Sequence, residues 1–288
     1  MGNRENHTPQ DVGEFYDDQT SNFLRIYGQV IQAFRTRDVA DLLKYQIASI
    51  GLTDGQRVLD AGCGVCGPAR FFAKKLDVRI EAITISETQV KMAKQYVNQE
   101  GLDERIHVQK GDFHKLGTLF EPNTFDVVYY LESFGHAVDH EAVIAESWKV
   151  LKPGGTLYIK DLFIKEGIYE GHDEQIKTEI ENINRAYRYN VADLYEVLSA
   201  LRRQGFIINA LKTIDLPLEQ FENLTISNDF QELTGINKIE ELSSYIFPVD
   251  FFELKCQKPW NRLERGNSRY FLQNHYYMQV HGKRDEDL

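Results

Sequence analysis

Between residues 55 and 165, short apolar runs alternate with stretches whose apolar positions recur at helical spacing. The runs "RVLDAG", "VRIEAITIS", "RIHVQKGD", "FDVVYYLES" and "TLYIKDLFI" are rich in β-branched or aromatic residues and bounded by Gly, Asp or Ser. They read as five buried strands. "PARFFAKKL" reads as a helix with Pro68 in its first turn, where a missing N–H does no harm. "SETQVKMAKQYVNQEG" opens with Ser86 and Gln89 at capping-box spacing and stops at Gly101. A further helix is expected over roughly residues 139–151, before "KPGG" turns into the fifth strand. Strand and helix alternating over short connections imply right-handed βαβ units and a parallel sheet.

The flanks have a different rhythm. Residues 14–50 read as helical, broken at Gly51. Residues 166–205 also look helical, and "GFIINALKTI" gives a sixth strand. Residues 216–268 look irregular and helical, and "RYFLQNHYYMQVHGK" reads as the final strand. The segments near 166–190 and 216–268 are too long for ordinary loops, which suggests a substrate cap. The expected division is a helical lid segment over 1–54, a ligand-binding core over 55–165, and remaining strands with helical cap insertions over 166–288.

Chemistry concentrates in "VLDAGCGVCGPARFF". Gly62, Gly64 and Gly67 follow a strand and open a helix, the setting of a nucleotide-binding turn. In a dinucleotide enzyme the pyrophosphate would lie on that turn, and Asp60 would repel it. A cofactor with a positive centre and an amino-acid head suits the carboxylate better. Charge narrows the partners further. With 44 acidic and 33 basic residues the net charge is -11, which disfavours nucleic acid and points to a small-molecule substrate. The N-terminal "MGNRENHTPQ" lacks the apolar core of a signal peptide, and no apolar run is long enough for a membrane span. Three cysteines argue against a disulfide framework and for a reducing, cytoplasmic setting. Cys63 and Cys66 have half of a zinc or redox spacing but no second ligand pair, so they read as small buried loop residues and no metal site is expected. A homo-oligomer is as compatible with the sequence as a monomer.

Four motifs in order, "VLDAGCGVCG", "GDF" at 111–113, "FDVVYYLES" at 125–133 and "LKPGGTLYI" at 151–159, resemble those of class I S-adenosylmethionine-dependent methyltransferases. The resemblance implies a Rossmann-like, doubly wound α/β fold with a seven-stranded sheet, mostly parallel with the last strand antiparallel, N-terminal helices and a helical cap. It implies S-adenosylmethionine as cofactor, held by Asp60, Gly62, Gly64 and Gly67 at its methionine part, by Asp112 and Phe113 at adenine, and beside Leu131. The family's ribose-binding acid at the end of the second strand is missing; "AITISETQ" stands there. That departure resembles the sterol, tocopherol, cyclopropane-fatty-acid and prenyl-diphosphate methyltransferases, in which Thr84 and Gln89 would lie against the cofactor.

"YYLESFGHAVD" resembles the segment of that subgroup in which a glutamate follows the fourth strand, and supplies Glu132 and His136 as catalytic candidates. Alkene methylation passes through a carbocation, which a carboxylate can stabilise and deprotonate and aromatic faces can shelter. Phe134, in the same segment, is a substrate-binding candidate. "FYDDQTSNFLRIYG" resembles the aromatic-rich entry of such enzymes, making Tyr16 and Phe23 substrate candidates. "NRAYRYN" adds Arg185, Tyr187 and Arg188; the two arginines, three apart, could share a helical face and clamp a diphosphate, with Mg2+ if the substrate carries one. The expected reaction is therefore C-methylation of an isoprenoid alkene, with a prenyl diphosphate foremost. The alternatives are N- or O-methylation of a natural product, or a non-catalytic or dinucleotide-binding protein.

Overall fold

The computed structural model describes residues 6–33, 36, 38–165, 171–213 and 248–260. Five strands follow the predicted alternation: β1 (Arg57–Ala61), β2 (Arg79–Thr84), β3 (Ile106–Lys110), β4 (Phe125–Leu131) and β5 (Leu151–Ile164). They pair in parallel in the order β3-β2-β1-β4-β5. Two more strands, β6 (Ile207–Thr213) and β7 (Val249–Gln257), complete a seven-stranded sheet. β7 lies between β5 and β6 and runs antiparallel to both.

Side chains along β1 alternate between two cores. Leu59 and Ala61 face a layer containing α6 (His140–Val150) and α8 (Leu194–Gln204). Val58 faces α2 (Val39–Ile50), α3 (Gly67–Lys75) and α4 (Glu87–Gln99) on the other side. This period of two, buried on both faces, explains why the parallel strands read as continuous apolar runs. The short α5 (Leu116–Leu119) packs near α6. No helix among the described residues is long and apolar enough to cross a membrane.

Four expectations are corrected. The helical stretch of 14–50 is two helices, α1 (Pro9–Tyr27) and α2, separated by a loop. Gly28 ends α1 at φ 66°, and the Asp38 side chain starts α2 by accepting from the Ala40 N–H. Residues 166–205 are likewise interrupted. Arg188, at φ 54°, closes α7 (Asp173–Tyr187) before α8 begins. Ser86 caps α4 by accepting from the Gln89 N–H, but the Gln89 side chain turns back to Thr84 instead of completing a capping box. The seventh strand is "VDFFELKCQ", inside the stretch read as irregular, while 269–283 lies outside the described residues.

One glycine of the 62–67 turn serves packing between elements. A Cβ on Gly67 would lie 2.0 Å from the backbone oxygen of Gln29, in the α1–α2 loop. The Gln29 side chain also accepts from Arg70 of α3, itself buried and paired with Glu100. Gly67 therefore seats the loop on the start of α3. Gly67→Ala is expected to destabilise the fold by about 1–3 kcal/mol in urea denaturation, the range for overpacking at a site that cannot relax.

Candidate active site

At the carboxyl ends of β1, β2 and β4, the switch region of an open α/β sheet, a cleft encloses about 860 Å3, its open mouth included. Gly62 and Gly64 line it, whereas Gly67 does not. Gly62 has φ 97°, and a Cβ there would meet Ser133 at 2.3 Å. Ser133 Oγ donates to the Ala61 carbonyl at 2.6 Å, tying the β1 turn to the end of β4. Cys63 and Cys66 are buried free thiols; burial pushes the Cys63 thiol well up, so it stays protonated.

Asp60 also lines the cleft and is 2% exposed. Its Oδ2 makes no hydrogen bond of good geometry among the described residues, although the buried Tyr129 hydroxyl lies close enough to pull the carboxyl down against burial. Burial raises the Asp60 carboxyl to about 7. A buried, unsatisfied carboxyl is costly in an empty protein and useful to a ligand that brings a donor or a positive charge.

On the other side of the β1 turn, Thr84, Gln89, Asp112, Phe113 and Leu131 all line the cleft. Thr84 Oγ1 donates to Gln89 Oε1 at 2.6 Å. Asp112 Oδ1 accepts from the N–H of His114 at 2.9 Å and from its ring Nδ1 at 2.7 Å. Burial would raise that carboxyl, but the bonds from His114 outweigh it and hold the group below the usual range. Asp112 thus caps its own turn while its neighbourhood faces the cleft. Phe113 packs edge-on against Tyr130.

Glu132 follows β4 with φ 57°, a conformation rare for a non-glycine residue and concentrated at functional sites. Two bonds hold it there: its N–H donates to Lys160 O at 2.7 Å, and Tyr189 Oη donates to its carbonyl at 2.8 Å. Glu132 is among the residues lining the cleft, and its carboxylate pairs with Lys160 of β5 and accepts from the Ala33 N–H of the α1–α2 loop. Burial pulls the Lys160 ammonium below its ordinary range, with Glu132 opposing that pull.

His136 Nδ1 lies 3.0 Å from the Arg188 carbonyl, which can only accept, so this nitrogen carries the proton. Nε2 then accepts from Tyr16 Oη at 3.0 Å. Burial lowers His136 to about 4, keeping it neutral. In this arrangement His136 anchors Tyr16, and its basic nitrogen is already engaged. Tyr16 and His136 line the cleft. Phe23 is buried behind Tyr16 and packs on it, and Tyr187 joins the same aromatic cluster.

The remaining substrate candidates sit elsewhere. Phe134 is buried in the core against Tyr130 and His140. Arg185 is exposed and donates to Asn182. Arg188 donates to the Arg185 carbonyl and lies over the Phe15 ring. Because Arg188 leaves the helix in a left-handed conformation, the two arginines do not share a helical face, and neither lines the cleft. Sequence reading missed Gln29, Ile31 and Gln32, which line the cleft from the α1–α2 loop, and Lys160 behind it. Gly28 was the available signal for that loop; Lys160 gave none, since it interrupts an apolar strand just as an exposed lysine would.

Residues 59–159 match the family described as "Methyltransferase domain". Over that stretch the chain is a methyltransferase domain. The sterol 24-C-methyltransferase ERG6B of Gibberella zeae is 34% identical over 203 residues, covering 68% of this chain and 50% of that protein. The chain spans about half the length of the first curated relatives it matches. Among solved structures, the [4+2]-cyclase SpnF superposes with a TM-score of 0.71 at 22% identity, covering 89% of this chain and 98% of that one. Geranyl diphosphate C-methyltransferase from Streptomyces coelicolor A3(2) superposes with 0.67 at 13% identity, covering 87% and 98%. These structural likenesses establish the fold. The cofactor fits the residues present: Asp60 offers an unsatisfied carboxyl to a cationic amino-acid head, and no Lys or Arg stands among the described cleft residues to favour phosphates.

An ammonium ligand prefers the ionised form of Asp60, so its affinity should fall as pH drops through about 7. Calorimetry with the demethylated product, S-adenosylhomocysteine, should show roughly tenfold weaker binding one pH unit below that value than one above. Asp60→Asn should bind more weakly overall and lose the pH dependence.

Proposed function

We propose that this chain is an S-adenosylmethionine-dependent C-methyltransferase acting on an alkene of an apolar, uncharged isoprenoid, with Glu132 as the group that steadies the cation and removes the proton. The observation that carries this reading is Glu132 itself. A buried carboxylate is held in a left-handed backbone conformation at the end of β4, facing the cofactor cleft. Few structural needs are met by that arrangement, because glycine there would avoid both the backbone cost and the buried charge.

When bound, S-adenosylmethionine supplies a sulfonium methyl that the alkene π electrons take up, leaving a carbocation on the acceptor. Glu132 lowers the energy of that cation and accepts a proton from the adjacent carbon, whose C–H electron pair becomes the double bond of the product. Tyr16, Phe113 and Leu131 surround the region with apolar and aromatic surface. Gln29, Ile31 and Gln32 of the α1–α2 loop line it from one side.

A neutral acceptor suits the site better than a diphosphate. Arg185 and Arg188 do not line the cleft, and its described lining has no Lys or Arg. Mg2+ would enter only with a diphosphate acceptor. The activity for which the sterol 24-C-methyltransferases are named supports a neutral isoprenoid alkene. N- or O-methylation has less support, because His136, the natural base for it, has its basic nitrogen occupied by Tyr16.

Glu132→Gln should retain cofactor binding and lower kcat by about 10²–10⁴-fold, the usual contribution of a general base. With methyl-labelled cofactor, label is expected on carbon of a sterol or polyene. Label on nitrogen or oxygen would replace this reading with the heteroatom one. Conversion of a polyene without label would point to a cyclase on the same fold.

A further inference from the structure

Behind Glu132 lies a chain of buried polar contacts that the reaction as described does not use. Lys160 is 1% exposed and bonds both to Glu132 Oε1 and, at 2.7 Å, to Gln32 Oε1. Gln32 is 2% exposed and joined to Gln46 of α2, whose Nε2 donates back to Gln32 Oε1 at 2.6 Å. The adjacent Ala33 N–H donates to the second carboxylate oxygen of Glu132. One ammonium and one loop N–H thus hold the two oxygens of one carboxylate. Both arrive from outside the "YYLES" segment.

We infer that Lys160 is the positioning residue of this site: through its bond to Glu132, and with Gln32 fixing its own place, it holds the carboxylate in place at the wall of the cleft. The inference rests on the reading of Glu132 given above. Other described titratable groups pack around the pair. Tyr16 of α1 and Tyr189 beyond α7 are buried phenols held protonated. His136 is neutral. Asp161, next to Lys160, and Glu253 of β7, opposite it in register, are acids. Asp161 is satisfied by the N–H groups of Gly135 and Leu162. Glu253 accepts from Tyr45 and Tyr158 and pairs with Lys212.

The test compares kcat and KM for wild type, Lys160→Met, Lys160→Arg, Glu132→Gln and the Lys160→Met, Glu132→Gln double variant, with S-adenosylhomocysteine affinity measured on each. Lys160→Met should lower kcat by about 10–10²-fold, with KM and ligand affinity within threefold of wild type (about 0.65 kcal/mol at most), and Lys160→Arg should recover part of the loss. The loss of rate should vanish on the Glu132→Gln background. Losses that simply add in the double variant, or a loss of ligand affinity as large as the loss of kcat, would overturn the inference while leaving Glu132 as the base. Near-wild-type turnover by Glu132→Gln would overturn the reading of Glu132 itself, and the inference with it. Should Lys160→Met fail to fold, Lys160→Gln, which keeps a hydrogen bond without the charge, takes its place under the same criteria.

Discussion

The ion pair between Glu132 and Lys160 organises the active end of this molecule. Two charges removed from water must be paired and hydrogen-bonded, or they destabilise the fold by several kcal/mol. Their needs account for much of what surrounds them. The Lys160 carbonyl and the Tyr189 hydroxyl fix the Glu132 backbone. Gln32 and Ala33 bring the α1–α2 loop down over the pair. Gln46 ties that loop to α2. The loop is seated again at its other end, where Gln29 meets Gly67 and Arg70. The cover of the cleft and the charge within it are therefore one construction.

The sheet and the cofactor turn were legible because local patterns determine them. Period-two apolar runs, Pro68 at a helix start and glycines at the turn all act within a few residues. Asp60 was legible for the same reason: an acid two residues from a phosphate-type turn discriminates between ligands by its charge alone. Pairings between distant segments were not legible. Lys160 and Gln32 are 128 residues apart, and nothing local to either shows that they meet. The α1–α2 loop was hidden because its apolar residues, Val30 in the core and Ile31 at the cleft, mimic the spacing of a helix packed on a core. The β7 stretch "VDFFELKCQ" was hidden because buried Glu253 and half-buried Lys255 break the expected apolar run. The two arginines misled because their spacing implies a shared face only if the helix continues, and it ends at Arg188.

The structural neighbours show how little the fold alone decides. SpnF, a [4+2]-cyclase, has a TM-score of 0.71 against 0.67 for the geranyl diphosphate C-methyltransferase. A scaffold shared to that extent can host either chemistry. What separates them must lie in a few side chains around a similar cleft. The useful comparison is therefore between carboxylates and their surroundings rather than between backbones.

The position of β7 has a consequence for biosynthesis. Because this strand lies between β5 and β6, neither can complete its ladder until residue 257 has left the ribosome, although β5 emerges about a hundred residues earlier. During that interval the nascent chain presents an open β5 edge bearing Tyr158, Leu162 and Phe163, an invitation to intermolecular strand pairing. The five-stranded half can pack its helices while it waits, but the border of that half remains exposed until the late strand slots in.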